Sequence, residues 1–344
     1  MRGVWGVILP PSFGTLSVYI QLMHSSTASS AALPQMLLHA ALSPHATAAL
    51  LPWKLLAEEI FAVLHDTSVQ VPARIVLPLA GGGSLFCMPA ADSRLAMTKL
   101  ITSTPANAGT PRPTIQGDVV VFDVATGSRR LTLDGPTITA RRTAAVSLLA
   151  AQRLAAQPAG PLLVIGAGAQ GKAHVEAFVA VLGVREVHVA SRSTHSAQAL
   201  VEHARTLGCD ARLVNDIRLA ARHCPLIVTC TPANAVVLHE APRADAFVCA
   251  VGAFTPQMVE LAPGLCLDFA QRGRIVVDTE DAAHEAGDLL QAGLDVPGLP
   301  TLAQALHAGP AQAGGAVLFK SCGWGGWDLA AARLACAQAM QVAT

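Results

Sequence analysis

From Pro52 to Leu64 the apolar residues Leu55, Leu56, Ile60, Val63 and Leu64 recur three and four positions apart, with Glu59 among them. That period predicts an amphipathic helix whose apolar stripe faces a core. Strand patterns follow. Arg74 to Leu79, Ser84 to Ala90 and Leu95 to Ser103 are short β-prone runs divided by Pro and Gly clusters. Asp118 to Val124 and Arg130 to Leu133 flank a Gly-containing loop at 125–129, the pattern of an antiparallel hairpin. The first third therefore reads as a helix plus an antiparallel sheet.

After Thr139 the texture changes. Arg141 to Ala151 is a run of strong helix formers with a Thr available as cap, so a connecting helix is expected to start there. Strands at Leu162–Ile165, Glu186–Ala190, Leu226–Cys230, Phe247–Val251 and Ile275–Asp278 then alternate with helices near 172–181 and 196–207. Such alternation predicts an α/β fold, a doubly wound parallel sheet covered by helices on both faces. From about Pro300 the order is helix, short strand (Ala316 to Lys320) and a final Ala-rich helix, Asp328 to Met340.

Composition narrows the partners. The 344 residues are 52% hydrophobic and 13% charged, enough apolar material for a large core and too little charge for general disorder. Lys plus Arg balances Asp plus Glu at 23 each, so there is no basic field for nucleic acid or an anionic membrane, and small-molecule partners are expected. None of the eight cysteines forms C-x-x-C, so no metal site is expected, and their apolar settings fit a reducing, cytoplasmic compartment. No uninterrupted run of 18 apolar residues could span a membrane. Residues 1–33 are broken by Pro10, Pro11 and Gly14 and then turn Ser/Thr-rich. This is read as a loosely ordered extension rather than a secretory signal.

One motif carries chemistry. The apolar strand Leu162–Ile165 feeds Gly166-Ala167-Gly168-Ala169-Gln170-Gly171, a G-x-G-x-x-G between a strand and a helix. Gly166 suits the tight turn, Gly168 close backbone approach to a pyrophosphate, and Gly171 helix-on-strand packing. The acidic residue that would hold the ribose hydroxyl of NAD is missing. The second strand instead runs into Ser191, Arg192 and Ser193. Arg192 can pair with a 2′-phosphate, which favours NADPH with NADH weaker; a solvent-facing loop arginine is the alternative.

Three cations form a second constellation. Lys99 alternates with Met97 and Ile101, so on a strand its ammonium shares a face with apolar side chains and needs an anion. Arg142 is expected in the first turn of the connecting helix, where the dipole disfavours a cation, and Arg74 within an apolar strand. Together they suit an α-carboxylate; three unrelated ion pairs are the alternative.

These features, with the phrases Val71 to Pro78, Met97-Thr98-Lys99-Leu100, Arg142-Thr143-Ala144-Ala145, Val251-Gly252-Ala253, Glu285-Ala286-Gly287-Asp288 and Phe319 to Gly323, resemble the ornithine cyclodeaminase and mu-crystallin family over roughly Leu37 to Ala337. The resemblance implies a Rossmann domain, residues 141–300, inserted in an α+β substrate-binding and dimerisation domain built from 34–140 and 301–344, in a homodimer. It implies that Arg74, Lys99 and Arg142 contact a substrate carboxylate and that Thr114, Ala169, Gln170, Thr231 and Ser321 contact the cofactor, with Arg142 and Val251 beside them.

Ornithine cyclodeaminases carry an aspartate shortly after the Val-Gly phrase, whereas this chain reads Ala253-Phe254-Thr255-Pro256. Phe254 cannot move a proton and suits a substrate that is already cyclic. The expected activity is NADPH-dependent reduction of a cyclic ketimine, Δ1-pyrroline-2-carboxylate or Δ1-piperideine-2-carboxylate. Lys99 is expected either to donate the proton, its pKa depressed by burial and like charges, or only to anchor the carboxylate. The alternatives are an ornithine cyclodeaminase, an alanine-dehydrogenase-like oxidoreductase, and a non-enzymatic NADPH-dependent binding protein of the mu-crystallin type.

Overall fold

The computed structural model describes residues 41–107, 109–232, 234–308 and 315–342. The extension expected at 1–33 lies outside them. Two short helices open the described chain, α1 (Pro44–Ala49) and α2 (Trp53–His65). Ser43 caps the first, its side chain accepting from the Ala46 amide. Five strands then form an antiparallel sheet in chain order: β1 (Ile75–Pro78), β2 (Ser84–Ala91), β3 (Leu95–Ser103), β4 (Ile115–Asp123) and β5 (Arg129–Asp134). Alternation decides the faces: Met97, Lys99 and Ile101 of β3 are buried while Leu100 between them is exposed.

The connecting helix α3 (Gly135–Leu154) begins six residues earlier than the pattern predicts. Asp134 accepts from the Thr137 amide and Pro136 lies in the first turn, a strong start signal. Arg142 is thus the eighth residue of the helix, and the expectation that it sits in the first turn is corrected. Its charge lies deep in the helix rather than against the dipole's positive end.

The parallel part contains β6 (Leu162–Ile165), α4 (Ala169–Ala177), β7 (Glu186–Ala190), α5 (Thr194–Thr206), β8 (Asp210–Leu213), α6 (Ile217–His223), β9 (Leu226–Thr229), β10 (Asn234–Leu238), β11 (Phe247–Ala250), β12 (Val259–Leu261), α7 (Pro263–Arg272), β13 (Arg274–Val277), α8 (Ala282–Glu285), α9 (Gly287–Gln291), α10 (Leu302–His307) and β14 (Val317–Lys320). Seven of these strands form one parallel sheet in the order β13-β14-β11-β9-β6-β7-β8, and β10 pairs with β12 apart from it. Strand order reverses between β6 and β9, the switch point where α/β folds bind ligands.

β14 corrects the expected boundary, because residues 301–344 do not return whole to the first unit. Val317–Lys320 is wholly buried and pairs with both β11 and β13, so apolar burial draws it into the parallel sheet. The last helix, α11 (Gly325–Val342), does return and packs on α2, β2 and β3. Arg333 of α11 fixes that docking, its guanidinium ion-paired with Glu59 and Asp66 of the α2 region and with Asp92 before β3. On the other side α4 is held against α3 by buried His174, whose ring contacts the Gln170 carbonyl at 2.7 Å and Ser147 Oγ at 2.9 Å. Burial lowers the His174 pKa to about 4, so it stays neutral.

Candidate active site

A cavity of about 220 Å³ lies where the antiparallel sheet, α3 and the C-terminal ends of the parallel strands meet. β3 delivers Lys99 to it, α3 delivers Arg142, and the residue before β1 delivers Arg74. All three expected cations belong to the lining of one cavity.

Lys99 is 1% exposed, and its Nζ lies 2.8 Å and 3.0 Å from the two carboxylate oxygens of Asp328 in the first turn of α11. Arg142 Nε lies 3.2 Å from the same carboxylate. Asp328 is the anion that burial of Lys99 demands, and sequence reasoning missed it because it stands 229 residues away. Burial pushes the Lys99 ammonium down to about 8, helped by the charges of Arg142 and Arg74 and opposed by Asp328. Arg74 faces elsewhere: its guanidinium pairs with Glu285 and donates to the Phe254 carbonyl at 3.4 Å. Burial pushes the Glu285 carboxyl up to about 7 even beside that arginine. Phe86, Met88, Ile101 and Phe254 add apolar residues to the lining.

The expected cofactor positions divide into two groups. Gln170, Thr231, Val251 and Ser321 line the cavity together with Thr139, which sequence reasoning missed. Thr114 is exposed and outside the lining, its carbonyl accepting from the Thr104 amide. Ser191, Arg192 and Ser193 follow β7, also outside the cavity. Arg192 is exposed, and Ser193 caps α5 through the Ser196 amide.

The Gly-rich turn fits a dinucleotide. Gly166 has φ +120°, and a Cβ there would meet the Cys230 carbonyl at 2.6 Å. A Cβ on Gly171 would meet the Gly166 carbonyl at 2.1 Å, so helix and strand pack too closely for any side chain. A Cβ on Gly168 would meet nothing within 4 Å, which leaves open space above the N-terminus of α4, starting at Ala169. Beside the cavity, Thr139 Oγ1 and Gln170 Oε1 are buried and unpartnered, as groups awaiting a polar ligand are.

Buried carboxylates hold the surrounding loops. Glu260 accepts from the Thr231 amide and hydroxyl, the Gly252 amide and Thr229 Oγ1 at 2.7–3.0 Å. Asp278 accepts from Ser321 Oγ and the amides of Cys322 and Gly323 at 2.8–2.9 Å. Asp288 accepts from the amides of Glu260 and Leu261 and pairs with buried Lys320 at 2.9 Å. Cys230 and Cys322 line the cavity, but burial raises both thiols well above their ordinary range, so neither is poised as a nucleophile. Away from the cavity, Glu186, His188 and His223 bring three metal-type ligands together among the described residues. There Arg212 Nη2 already lies 2.8 Å from the carboxylate and 2.7 Å from the His188 ring.

Comparison with known proteins shows which proteins the chain is similar to. The chain is 38% identical over 298 residues to Δ1-pyrroline-2-carboxylate reductase 1 of Burkholderia multivorans, covering 84% of this chain and 92% of that protein. It is 36% identical over 298 residues to the Δ1-pyrroline-2-carboxylate/Δ1-piperideine-2-carboxylate reductase of Azospirillum brasilense, with the same coverage. In fold it resembles the Thermococcus litoralis Δ1-pyrroline-2-carboxylate reductase in complex with NADH and L-proline, with a TM-score of 0.81 at 23% identity over 88% of this chain and 97% of that one. Residues 42–341 match the model of one family, and the chain belongs to that family, the ornithine cyclodeaminase/mu-crystallin family.

Proposed function

We propose that this protein reduces a cyclic ketimine bearing a 2-carboxylate, Δ1-pyrroline-2-carboxylate or Δ1-piperideine-2-carboxylate, to L-proline or L-pipecolate with NADPH. The observation that carries this reading is the cavity. Two buried cations share a single carboxylate and so leave positive charge for a substrate carboxylate, opposite an apolar wall with Phe254 where a cyclodeaminase has its aspartate. The names of the two bacterial relatives support the same reaction. NADPH, when bound, supplies the hydride for the C2 carbon. Gly166, Gly168, Ala169 and Gly171 would cradle its pyrophosphate, with Gln170, Thr231, Val251 and Ser321 nearer the cavity. Arg142 and Arg74 hold the carboxylate, Phe254 and Met88 exclude water from the ring, and Lys99 Nζ gives its proton to the imine nitrogen. The antiparallel unit with α11 serves as the substrate and dimerisation domain, and the parallel sheet as the cofactor domain. The burial of seven of the eight cysteines as core residues fits a cytoplasmic setting.

Steady-state assays with both imines and NADPH test the reaction. Turnover of at least one is expected; ornithine consumption with neither imine reduced would overturn the reading.

The role of Lys99 has its own test. A lysine acid must be protonated, so kcat/KM is full below about pH 8 and is lost as pH rises through that value. Lys99→Arg keeps the charge and cannot donate, so kcat should fall on the order of a hundredfold. Near-normal kcat in that variant would reduce Lys99 to an anchor.

Cofactor preference depends on Arg192, exposed at the end of β7. Arg192→Asp should shift the ratio of NADPH to NADH affinity toward NADH, because a carboxylate repels the 2′-phosphate and accepts the 2′-hydroxyl. An unchanged ratio makes Arg192 a surface residue.

The outer face of the antiparallel sheet exposes Ile75, Leu77, Leu100 and Phe122. β1 is moreover an edge strand, so a second copy is the expected cover. Light scattering should give twice the mass of one chain; a monomer at working concentration contradicts the pairing.

A further inference from the structure

Asp328 has no place among the groups that bind carboxylate or cofactor, yet it is fully buried and touches both inner cations of the pocket. It enters from α11, an element that contributes no other charge to the cavity; Arg333 on the same helix is turned to Glu59, Asp66 and Asp92. The charged groups facing Lys99 are Asp328 from α11, Arg142 from α3 and Arg74 from the segment before β1. Arg74 is itself balanced by Glu285. Asp328 is therefore the lone counter-charge, among the described residues, to a lysine and an arginine shut away from water.

We propose that Asp328 is the positioning residue of the reduction: its carboxylate aims the Lys99 ammonium into the cavity and keeps it protonated at neutral pH, ready to deliver the proton. This rests on the reading given above. In the step, an Nζ–H bond of Lys99 breaks and its electron pair stays on nitrogen as the neutral amine. The proton joins the imine nitrogen, a hydride that bound NADPH would supply on becoming NADP+ forms the C2–H bond, and the C=N π pair becomes the lone pair of the product amine. Asp328 touches neither substrate nor cofactor and acts through Lys99.

The physical reason is the sign of each influence on Lys99. Burial and the charges of Arg142 and Arg74 all favour the neutral amine, and Asp328 alone opposes them. Without Asp328 the ammonium loses its proton at lower pH. Without Arg142 the carboxylate belongs to Lys99 alone, and the ammonium persists to higher pH.

The test compares the alkaline limb of kcat/KM in three proteins, using the better imine and NADPH. The substrate's own titration is common to all three and cancels in the differences. Asp328→Asn should move the limb down by one pH unit or more and lower activity at pH 7.5 at least tenfold, with Asp328→Glu restoring most of both. Arg142→Gln should move the limb the opposite way, upward, whatever it does to KM. A purely structural Asp328 would lower the thermal midpoint and leave the limb in place, and limbs that stay put in Asp328→Asn and Arg142→Gln overturn the proposal. Calorimetric binding of pyrrole-2-carboxylate, a planar ring acid that is not reduced, separates the two readings. In the wild type its affinity should fall as Lys99 loses its proton, and in Asp328→Asn it should fall at lower pH. The same pH dependence in both refutes the role of Asp328 even where turnover is normal. Binding with the expected shift but no turnover of either imine refutes the reductase reading and leaves Asp328 in place.

Discussion

Two cations and one carboxylate buried together, Lys99, Arg142 and Asp328, set the terms for the rest of the molecule. An isolated ammonium in such a place would lose its proton rather than stay charged, and removing one partner of a buried pair costs about 3–5 kcal/mol. The cluster therefore needs β3, α3 and α11 in one relative position. Nothing adjacent in sequence can supply that. α11 is held in place by Arg333 against three carboxylates of α2 and the β2–β3 turn, and by its apolar face on the antiparallel sheet. The surplus positive charge remaining after Asp328 is shared out is what the proposed binding of a substrate carboxylate rests on.

The same device recurs at the mouths of the parallel strands. Glu260 and Asp278 turn buried carboxylates toward backbone amides of loops that leave the sheet, and Asp288 does so toward the amides of Glu260 and Leu261 in β12. A loop amide that would otherwise face water is satisfied from within, and the loop loses the freedom to rearrange. Thr231, Gly252, Ser321 and Gly323 border the cavity because these acids fix them. The cofactor half of the cleft is thus rigid by hydrogen bonding and the substrate half by ion pairing.

Period and local chemistry made much of this legible. The alternation of Met97, Lys99 and Ile101 told that Lys99 points inward, and the strand Leu162–Ile165 ahead of three spaced glycines located the Gly-rich turn to the residue. Contacts between distant parts of the chain were not legible. No local pattern ties Asp328 to Lys99 across 229 positions, and the four apolar residues of β14 look the same whether their strand joins one sheet or the other. The start of α3 was legible in principle: Asp134 followed by Pro136 is a cap and first-turn signal that the stronger helix formers after Thr139 overshadowed. β8 was overlooked because Asp210–Leu213 is a four-residue edge strand with polar residues on its outer side, too short for a period to emerge.

Phe254 joins the two halves of the cleft. It belongs to the cavity lining, and its carbonyl accepts from Arg74, the one cation of the three that Asp328 does not touch. Arg74 has Glu285 as its other partner, and that carboxyl titrates near neutrality because burial outweighs the arginine's pull. A carboxylate entering beside Lys99 would meet Arg142 and Arg74 in the lining of the same cavity. In the proposed reaction such a site would orient a small ring acid through its carboxylate, with Lys99 as the titratable cation at hand. That is the arrangement a single proton delivery to the ring nitrogen requires.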